Sequence, residues 1–126
     1  MPRSVSLRAV ATAALLLAAL VAGPPRAVAH AVIVDSTPAV NATLIAGAVD
    51  IALRYNSRID HQRSRLTLIA ADGATIAVAI APGGAPDVVA ARTAPLAPGQ
   101  YRLRWQVLAV DGHLTRGDIP FSVKAP

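Results

Sequence analysis

The chain has 126 residues, no cysteine and a formal charge of +5, from twelve Lys or Arg against seven acidic residues. This length allows a single domain, and the absence of thiols excludes disulfides, thiolate metal sites and cysteine nucleophiles. The arginines are spread along the chain with few aromatic side chains between them, which is not the pattern of a nucleic-acid-binding protein.

Residues 1–29 have the pattern of a secretory signal peptide. Two arginines precede an apolar run over residues 9–22, which is shorter than the roughly 18 residues expected of a membrane span. The small residues of Ala27-Val28-Ala29 then form the site that signal peptidase reads, so we expect cleavage before His30. The alternative is an uncleaved membrane anchor. The mature domain would be residues 30–126, with nine cationic residues and seven aspartates.

Short runs of alternating apolar and polar residues, separated by turn residues, predict an all-β domain. The alternation is clearest over residues 100–108, where Trp105 should face the core and the arginines should face solvent. Asp72-Gly73 predicts a two-residue hairpin turn, and the run at 88–91 an edge strand. The predicted strands are residues 32–34, 49–55, 66–69, 75–80, 88–91, 100–108 and 119–123. About seven strands without a helix predict a small antiparallel Greek-key β-sandwich.

The histidines suggest a metal site that depends on export. Cleavage before His30 would expose an α-amine beside its imidazole, and the two nitrogens can close a chelate ring on one ion. Asp111-Gly112-His113 follows the longest predicted strand, and residues two apart on an extended backbone project from the same side. Three nitrogens and one oxygen suit tetragonal Cu(II), and Zn(II) would accept the same set in a tetrahedral arrangement.

Each of these residues also has a plainer interpretation. Asp111-Gly112 is a common turn dipeptide, and an exposed histidine after a turn often has no ligand role. His61 is predicted to lie in a surface loop, with a role as an auxiliary ligand as the alternative.

Four segments, taken together and in order, resemble the CopC-type periplasmic copper-binding (copper resistance) proteins. They are His30-Ala31-Val32 with Ser36-Thr37-Pro38-Ala39, then Leu53-Arg54-Tyr55-Asn56-Ser57, then residues 95–105, and finally Val110-Asp111-Gly112-His113 with Gly117 and Phe121-Ser122-Val123. The resemblance covers essentially the whole predicted mature chain.

The resemblance implies an immunoglobulin-like or cupredoxin-like Greek-key barrel in the periplasm, with a Cu(II) site formed by His30, Asp111 and His113. It also implies a CopD-like inner-membrane copper transport protein as a partner. The methionine-rich Cu(I) loop of better-known family members has no counterpart here, because residues 66–80 contain no methionine.

We therefore expect a monomeric, non-enzymatic Cu(II)-binding protein of copper resistance or homeostasis, which sequesters copper or delivers it to the membrane partner. A second hypothesis is a copper-dependent oxidase with an N-terminal histidine, similar to polysaccharide monooxygenases. The small number of aromatic residues available for a substrate face argues against it. A third hypothesis is a metal-free immunoglobulin-like interaction domain.

Overall fold

Two β-sheets packed face to face form the part of the chain described by a computed structural model, residues 30–126. The predicted signal peptide, residues 1–29, lies outside the described residues. The strands are β1 (Ile33–Thr37), β2 (Ala42–Ile45), β3 (Asp50–Tyr55), β4 (Ile59–Ala70), β5 (Thr75–Val78), β6 (Val88–Arg92), β7 (Gly99–Ala109) and β8 (Leu114–Lys124). Within this part of the chain no helix has the length and hydropathy needed to span a bilayer.

The strand order confirms the predicted all-β Greek-key sandwich. One sheet has the order β1-β3-β6, and the other has the order β2-β8-β7-β4-β5. Neighbouring strands are antiparallel, except that β2 runs parallel to β8. The short strand β6 lies at an edge, as predicted. Asp72-Gly73 lies in the turn that joins β4 to β5, but this turn is longer than the predicted two residues, because β4 ends at Ala70 and β5 begins at Thr75.

The core lies between the sheets and follows the alternation read from the sequence. Leu53 of β3 and Leu103 of β7 have no exposed surface, while Arg102 and Arg104 point to solvent. Trp105 is buried and meets the ring of Tyr55 edge-on, with ring centroids 5.5 Å apart. The prediction that Trp105 belongs to the core is confirmed, and this contact joins the two sheets.

The largest differences from the predicted strands are one strand that was not predicted and two strands that begin earlier, each where the apolar alternation is weak. β2 was not predicted, because it is a four-residue edge strand without a fully buried position. β4 begins at Ile59 rather than at residue 66, and its first half is polar and contains a β-bulge between Asp60 and Arg65. β8 begins at Leu114 rather than at residue 119, because pairing with β7 continues to the hairpin turn. These extensions bring the ends of β4, β7 and β8 together at one end of the sandwich.

Candidate metal centre

The turn between β7 and β8 carries two of the three predicted ligands. The amide of Gly112 donates to the carbonyl of Ala109 at 2.9 Å, and the amide of Ala109 donates to the carbonyl of His113 at 2.9 Å. Gly112 has a φ of +93°, a left-handed conformation that favours glycine at this position. Two backbone hydrogen bonds and the left-handed conformation of Gly112 therefore define the turn that carries Asp111 and His113.

Asp111 contacts His113 through both of its carboxylate oxygens. Oδ1 accepts a hydrogen bond from the His113 backbone amide at 3.0 Å, and Oδ2 lies 3.1 Å from Nδ1 of the ring. The backbone hydrogen bond, followed by the contact with the ring, lowers the pKa of Asp111 below its ordinary value. The carboxylate is therefore ionised at neutral pH, which is the form that binds a metal ion.

His30 is held beside this turn by the residues that follow it. Ala31 is buried, and Val32 is paired with Asn56 just beyond the end of β3. The Val32 amide donates to Oδ1 of Asn56 at 2.8 Å, and the Asn56 amide donates to the Val32 carbonyl at 3.0 Å. His30 itself is exposed, so its side chain is accessible while its backbone is anchored within two residues.

The rings of His30 and His113 lie face to edge, with centroids 6.0 Å apart and an interplanar angle of 72°. An ion bound at about 2.0–2.1 Å from an imidazole nitrogen lies roughly 3.2 Å from the ring centroid. Two rings on opposite sides of one ion are then roughly 6.4 Å apart. The observed separation of 6.0 Å is below this upper limit, so the two rings are close enough to share one ion.

Nδ1 of His113 supplies a test of whether the donors fit an ion. This atom is buried and has no hydrogen-bond partner, although Oδ2 of Asp111 lies 3.1 Å away. Two ligand atoms of one ion, each at about 2.0–2.1 Å, lie roughly 2.9 Å apart in a square-planar site and 3.4 Å apart in a tetrahedral site. The 3.1 Å between Nδ1 and Oδ2 falls between these values. The pair therefore fits adjacent positions around a metal ion.

The three predicted ligands do not yet form a complete cluster. Among residues 30–126, no group of three or more His or Asp side chains is close enough to hold an ion as the structure stands. His113 contacts Asp111 directly and His30 through its ring, so the structure brings the predicted residues together in pairs.

His61 does not lie in a surface loop, and that prediction was wrong. It is part of β4 and is partly buried, with Nε2 2.6 Å from the carbonyl of Val88 on β6. A carbonyl oxygen only accepts hydrogen bonds, so Nε2 carries the proton and is not free to bind a metal. The contact links the five-stranded sheet to the three-stranded one, which gives His61 a structural role.

Two further residues that shape the site were missed in the sequence. In the sequence Asn56 was noted only as part of the segment Leu53-Arg54-Tyr55-Asn56-Ser57, although its side chain anchors the residues after His30. Ser64 lies in the bulge of β4, where its hydroxyl donates to the Asp60 carbonyl at 2.7 Å and accepts from the Leu108 amide at 3.1 Å. An asparagine directly after a strand is a recognisable signal, but its partner 24 residues away is not.

Comparison with known sequences gives a consistent set of relatives. The family model described as the CopC domain matches residues 33–124, a segment that contains Asp111 and His113. Copper resistance protein C of Xanthomonas campestris pv. juglandis is 34% identical over an alignment of 133 residues. The alignment covers 93% of this chain and 97% of that protein. Protein YobA of Escherichia coli K12 is 31% identical over 103 residues, which cover 79% of this chain and 83% of that protein.

Solved structures with the same fold come from similarly named proteins. CopC from Methylosinus trichosporium OB3b superimposes with a TM-score of 0.68 at 24% identity, covering 76% of this chain and 95% of that one. PcoC from Escherichia coli, described as a methionine-rich copper resistance protein, superimposes with a TM-score of 0.64 at 26% identity, covering 76% of this chain and all of that one, 100%.

Proposed function

Because the chain belongs to the CopC family of copper resistance proteins, we propose that it binds Cu(II) in the periplasm for copper resistance or homeostasis. It would sequester the ion or pass it to a CopD-like inner-membrane protein, acting as a monomer and without catalytic turnover. The ligands in this proposal are His30, Asp111 and His113.

The observation that carries the proposal is the geometry around His113. Its ring has the ring of His30 at 6.0 Å and the carboxylate of Asp111 at 3.1 Å, although His30 is separated from the turn by most of the domain sequence. Nδ1 of the His113 ring has no hydrogen-bond partner among the described residues. A metal ion would satisfy that nitrogen and offset the negative charge of the carboxylate.

The donor chemistry favours Cu(II) over Cu(I). Cu(I) is selected by soft thiolate and thioether ligands, whereas imidazole and carboxylate suit divalent ions. The chain has no cysteine, and its single methionine is residue 1. PcoC is described as methionine-rich, so the shared fold is combined here with a different set of side chains.

Signal cleavage before His30 is part of the proposed mechanism. In the uncleaved chain the nitrogen of His30 is an amide, which must lose its proton before it can bind copper and is therefore a poorer ligand than an amine. Cleavage at Ala29 would convert it into an amine and supply the ligand that the two imidazoles and the carboxylate lack. Export and formation of the site would then be one event.

The decisive experiment compares a protein that begins at His30 with the same protein acetylated at its α-amine. Cu(II) is titrated into each, affinity is read from the fluorescence of the single tryptophan, Trp105, and nitrogen ligands are counted by electron paramagnetic resonance. We expect the acetylated protein to bind more weakly, by more than the roughly 10- to 100-fold that loss of an outer-shell partner costs. Equal affinities would exclude the amine as a ligand, and absence of Cu(II) binding by both proteins would exclude the proposed function.

A further inference from the structure

The outer face of the five-stranded sheet carries a groove that the copper site does not use. Its volume is about 610 Å³, and it is lined by three arginines, two neutral polar residues, a glycine and an aspartate: Arg65, Arg104, Arg116, Thr67, Gln106, Gly117 and Asp118. We call this surface the arginine groove. No aromatic or large apolar side chain is part of its lining.

The strand register arranges the arginines in rows. Arg65 on β4 lies opposite Gln106 on β7, which in turn lies opposite Arg116 on β8. Residues directly opposite each other on neighbouring strands project from the same face, so the two arginines flank Gln106. Their backbones are two strand spacings apart, or roughly 9.6 Å. In the next row Arg104 lies opposite Asp118.

The two rows differ in how their charges are matched. Asp118 accepts hydrogen bonds from Nε and Nη2 of Arg104 at 2.9 and 3.1 Å and from Nη1 of Arg102 at 3.3 Å. In contrast, no carboxylate of the described part of the chain forms an ion pair with Arg65 or Arg116. One row of the groove therefore already holds a carboxylate, and the other presents two arginines without one.

The groove also contains all of the excess positive charge of the domain. Residues 30–126 have nine cationic side chains and seven aspartates. Three of those cations and one aspartate line the groove, so the rest of the domain is electrically balanced. A groove of this kind attracts anionic partners and orients them during encounter.

We propose that the arginine groove binds an acidic segment of a partner protein, in extended conformation, with carboxylates at alternate positions. Alternate side chains of an extended segment project from one side and are about 6.6–6.8 Å apart. The long side chains of Arg65 and Arg116 can reach two carboxylates at this spacing, one arginine from each side of the segment. The planar guanidinium fork matches carboxylate geometry, as the contact between Arg104 and Asp118 in the same groove demonstrates.

The residues that line the groove favour an acidic protein segment over two other anionic partners, single-stranded nucleic acids and lipid bilayers. Single-stranded nucleic acids bind through aromatic side chains on which bases stack, and the groove has none. Proteins that lie on a bilayer insert apolar or aromatic side chains at the interface, and the lining offers none of these either. Arg116 follows His113 by three residues on the same hairpin, so a segment bound in the groove would lie near the turn.

The test uses the purified, exported protein without copper and a fluorescein-labelled peptide of alternating aspartate and glycine. Binding is followed by fluorescence anisotropy for the wild type, for Arg65→Glu/Arg116→Glu, and for the matched control Arg54→Glu/Lys124→Glu. The control makes the same change in net charge at exposed positions outside the groove. We expect the groove variant to lose affinity by roughly tenfold or more and the control to lose much less.

Three outcomes would overturn the proposal, provided that circular dichroism shows both variants folded. They are equal losses in the groove and control variants, equal binding of a peptide with asparagine in place of aspartate, and binding of phosphatidylglycerol vesicles without binding of the peptide. Because copper is absent from the assay, the result is independent of whether the protein binds Cu(II).

Discussion

Asp111 holds His113 by both its backbone and its ring: Oδ1 accepts the backbone amide at 3.0 Å, and Oδ2 lies 3.1 Å from Nδ1. The same carboxylate thus stabilises the turn and lies beside the candidate metal position. Replacing it separates these two contributions, because asparagine keeps an oxygen that accepts the amide but has no negative charge.

We expect Asp111→Asn to weaken Cu(II) binding strongly and to lower the melting temperature of the metal-free protein only slightly. The physical reason is that the charge contributes to metal binding and, through its contact with His113, a little to stability, whereas the oxygen that accepts the backbone amide in the turn is kept. Isothermal titration with Cu(II) and thermal unfolding measure the two effects. Asp118→Asn is the matched control, since Asp118 pairs with Arg104 and Arg102 on the outer face of the sheet. An unchanged Cu(II) affinity in Asp111→Asn would remove Asp111 from the ligand set.

His113→Ala and His61→Ala should have opposite effects on Cu(II) affinity and on stability. His113→Ala should lose most Cu(II) affinity at little cost in stability, because its side chain is 41% exposed and Nδ1 has no hydrogen-bond partner. His61→Ala should keep Cu(II) affinity but lower the free energy of unfolding by about 0.5–1.5 kcal/mol, because it removes the hydrogen bond to the carbonyl of Val88. Urea unfolding and Cu(II) titration of both variants measure this. Loss of Cu(II) binding in His61→Ala would restore it as a ligand.

The lowered pKa of Asp111 leads to a prediction for acid solution. The pKa of an unperturbed aspartate is about 3.9, and hydrogen bonding from His113 lowers it in the folded protein. The contribution to stability is then present above about pH 4 and is lost as the pH falls through the lower, folded value. The amide resonance of His113, followed by NMR in the metal-free protein, should titrate with a midpoint below about 3.9. A midpoint at or above this value, or a persisting titration in Asp111→Asn, would contradict the assignment.

The sequence predicted the architecture, because alternation is a local pattern, and local patterns also suggested the residues of the candidate site, which the structure brings together in pairs. Alternation along β3 and β7 identified the core, and the cleavage pattern and the Asp-Gly-His turn drew attention to the histidines. The sequence could not predict β2 or the polar half of β4, because these segments pair through backbone hydrogen bonds and have few buried side chains. The partner of Asn56 and the environment of His61 depend on contacts between distant strands, which no local pattern encodes.

Burial of Tyr55 determines how the domain behaves in alkali. Its hydroxyl is buried without a partner among the described residues, and burial raises its pKa above the ordinary value of about 10. The neutral form is favoured in the folded state, so stability is fully present below about pH 10 and falls as the pH rises towards the folded value. In Tyr101→Phe, where Tyr55 is the only tyrosine, the tyrosinate absorbance should appear together with loss of the near-ultraviolet circular dichroism. Tyrosinate in a protein with native circular dichroism would show that Tyr55 is accessible.

Gly117 is required by the ring of Trp105 rather than by its own backbone. It lies opposite Trp105 in the pairing of β7 with β8, and a Cβ at this position would be 2.5 Å from Cζ2 and 2.8 Å from Cε2 of the indole. Real Cβ atoms essentially never come this close, so Gly117→Ala must displace the ring from its contact with Tyr55. We expect the substitution to lower the free energy of unfolding by about 1–3 kcal/mol.

A double-mutant cycle measures whether the Trp105 ring causes the loss of stability in Gly117→Ala. The cost of Gly117→Ala should shrink in a Trp105→Leu background, because the six-membered ring that the new methyl group meets is absent there. Gly112→Ala is the contrasting variant: a methyl group at this position would have nothing within 4 Å, but the φ of +93° is unfavourable for alanine. Its cost should therefore be the same in both backgrounds. If Gly117→Ala lowers the free energy of unfolding equally with and without the indole, the glycine is needed for a reason other than the ring. The two substitutions depend on each other only through a steric contact between residue 117 and Trp105.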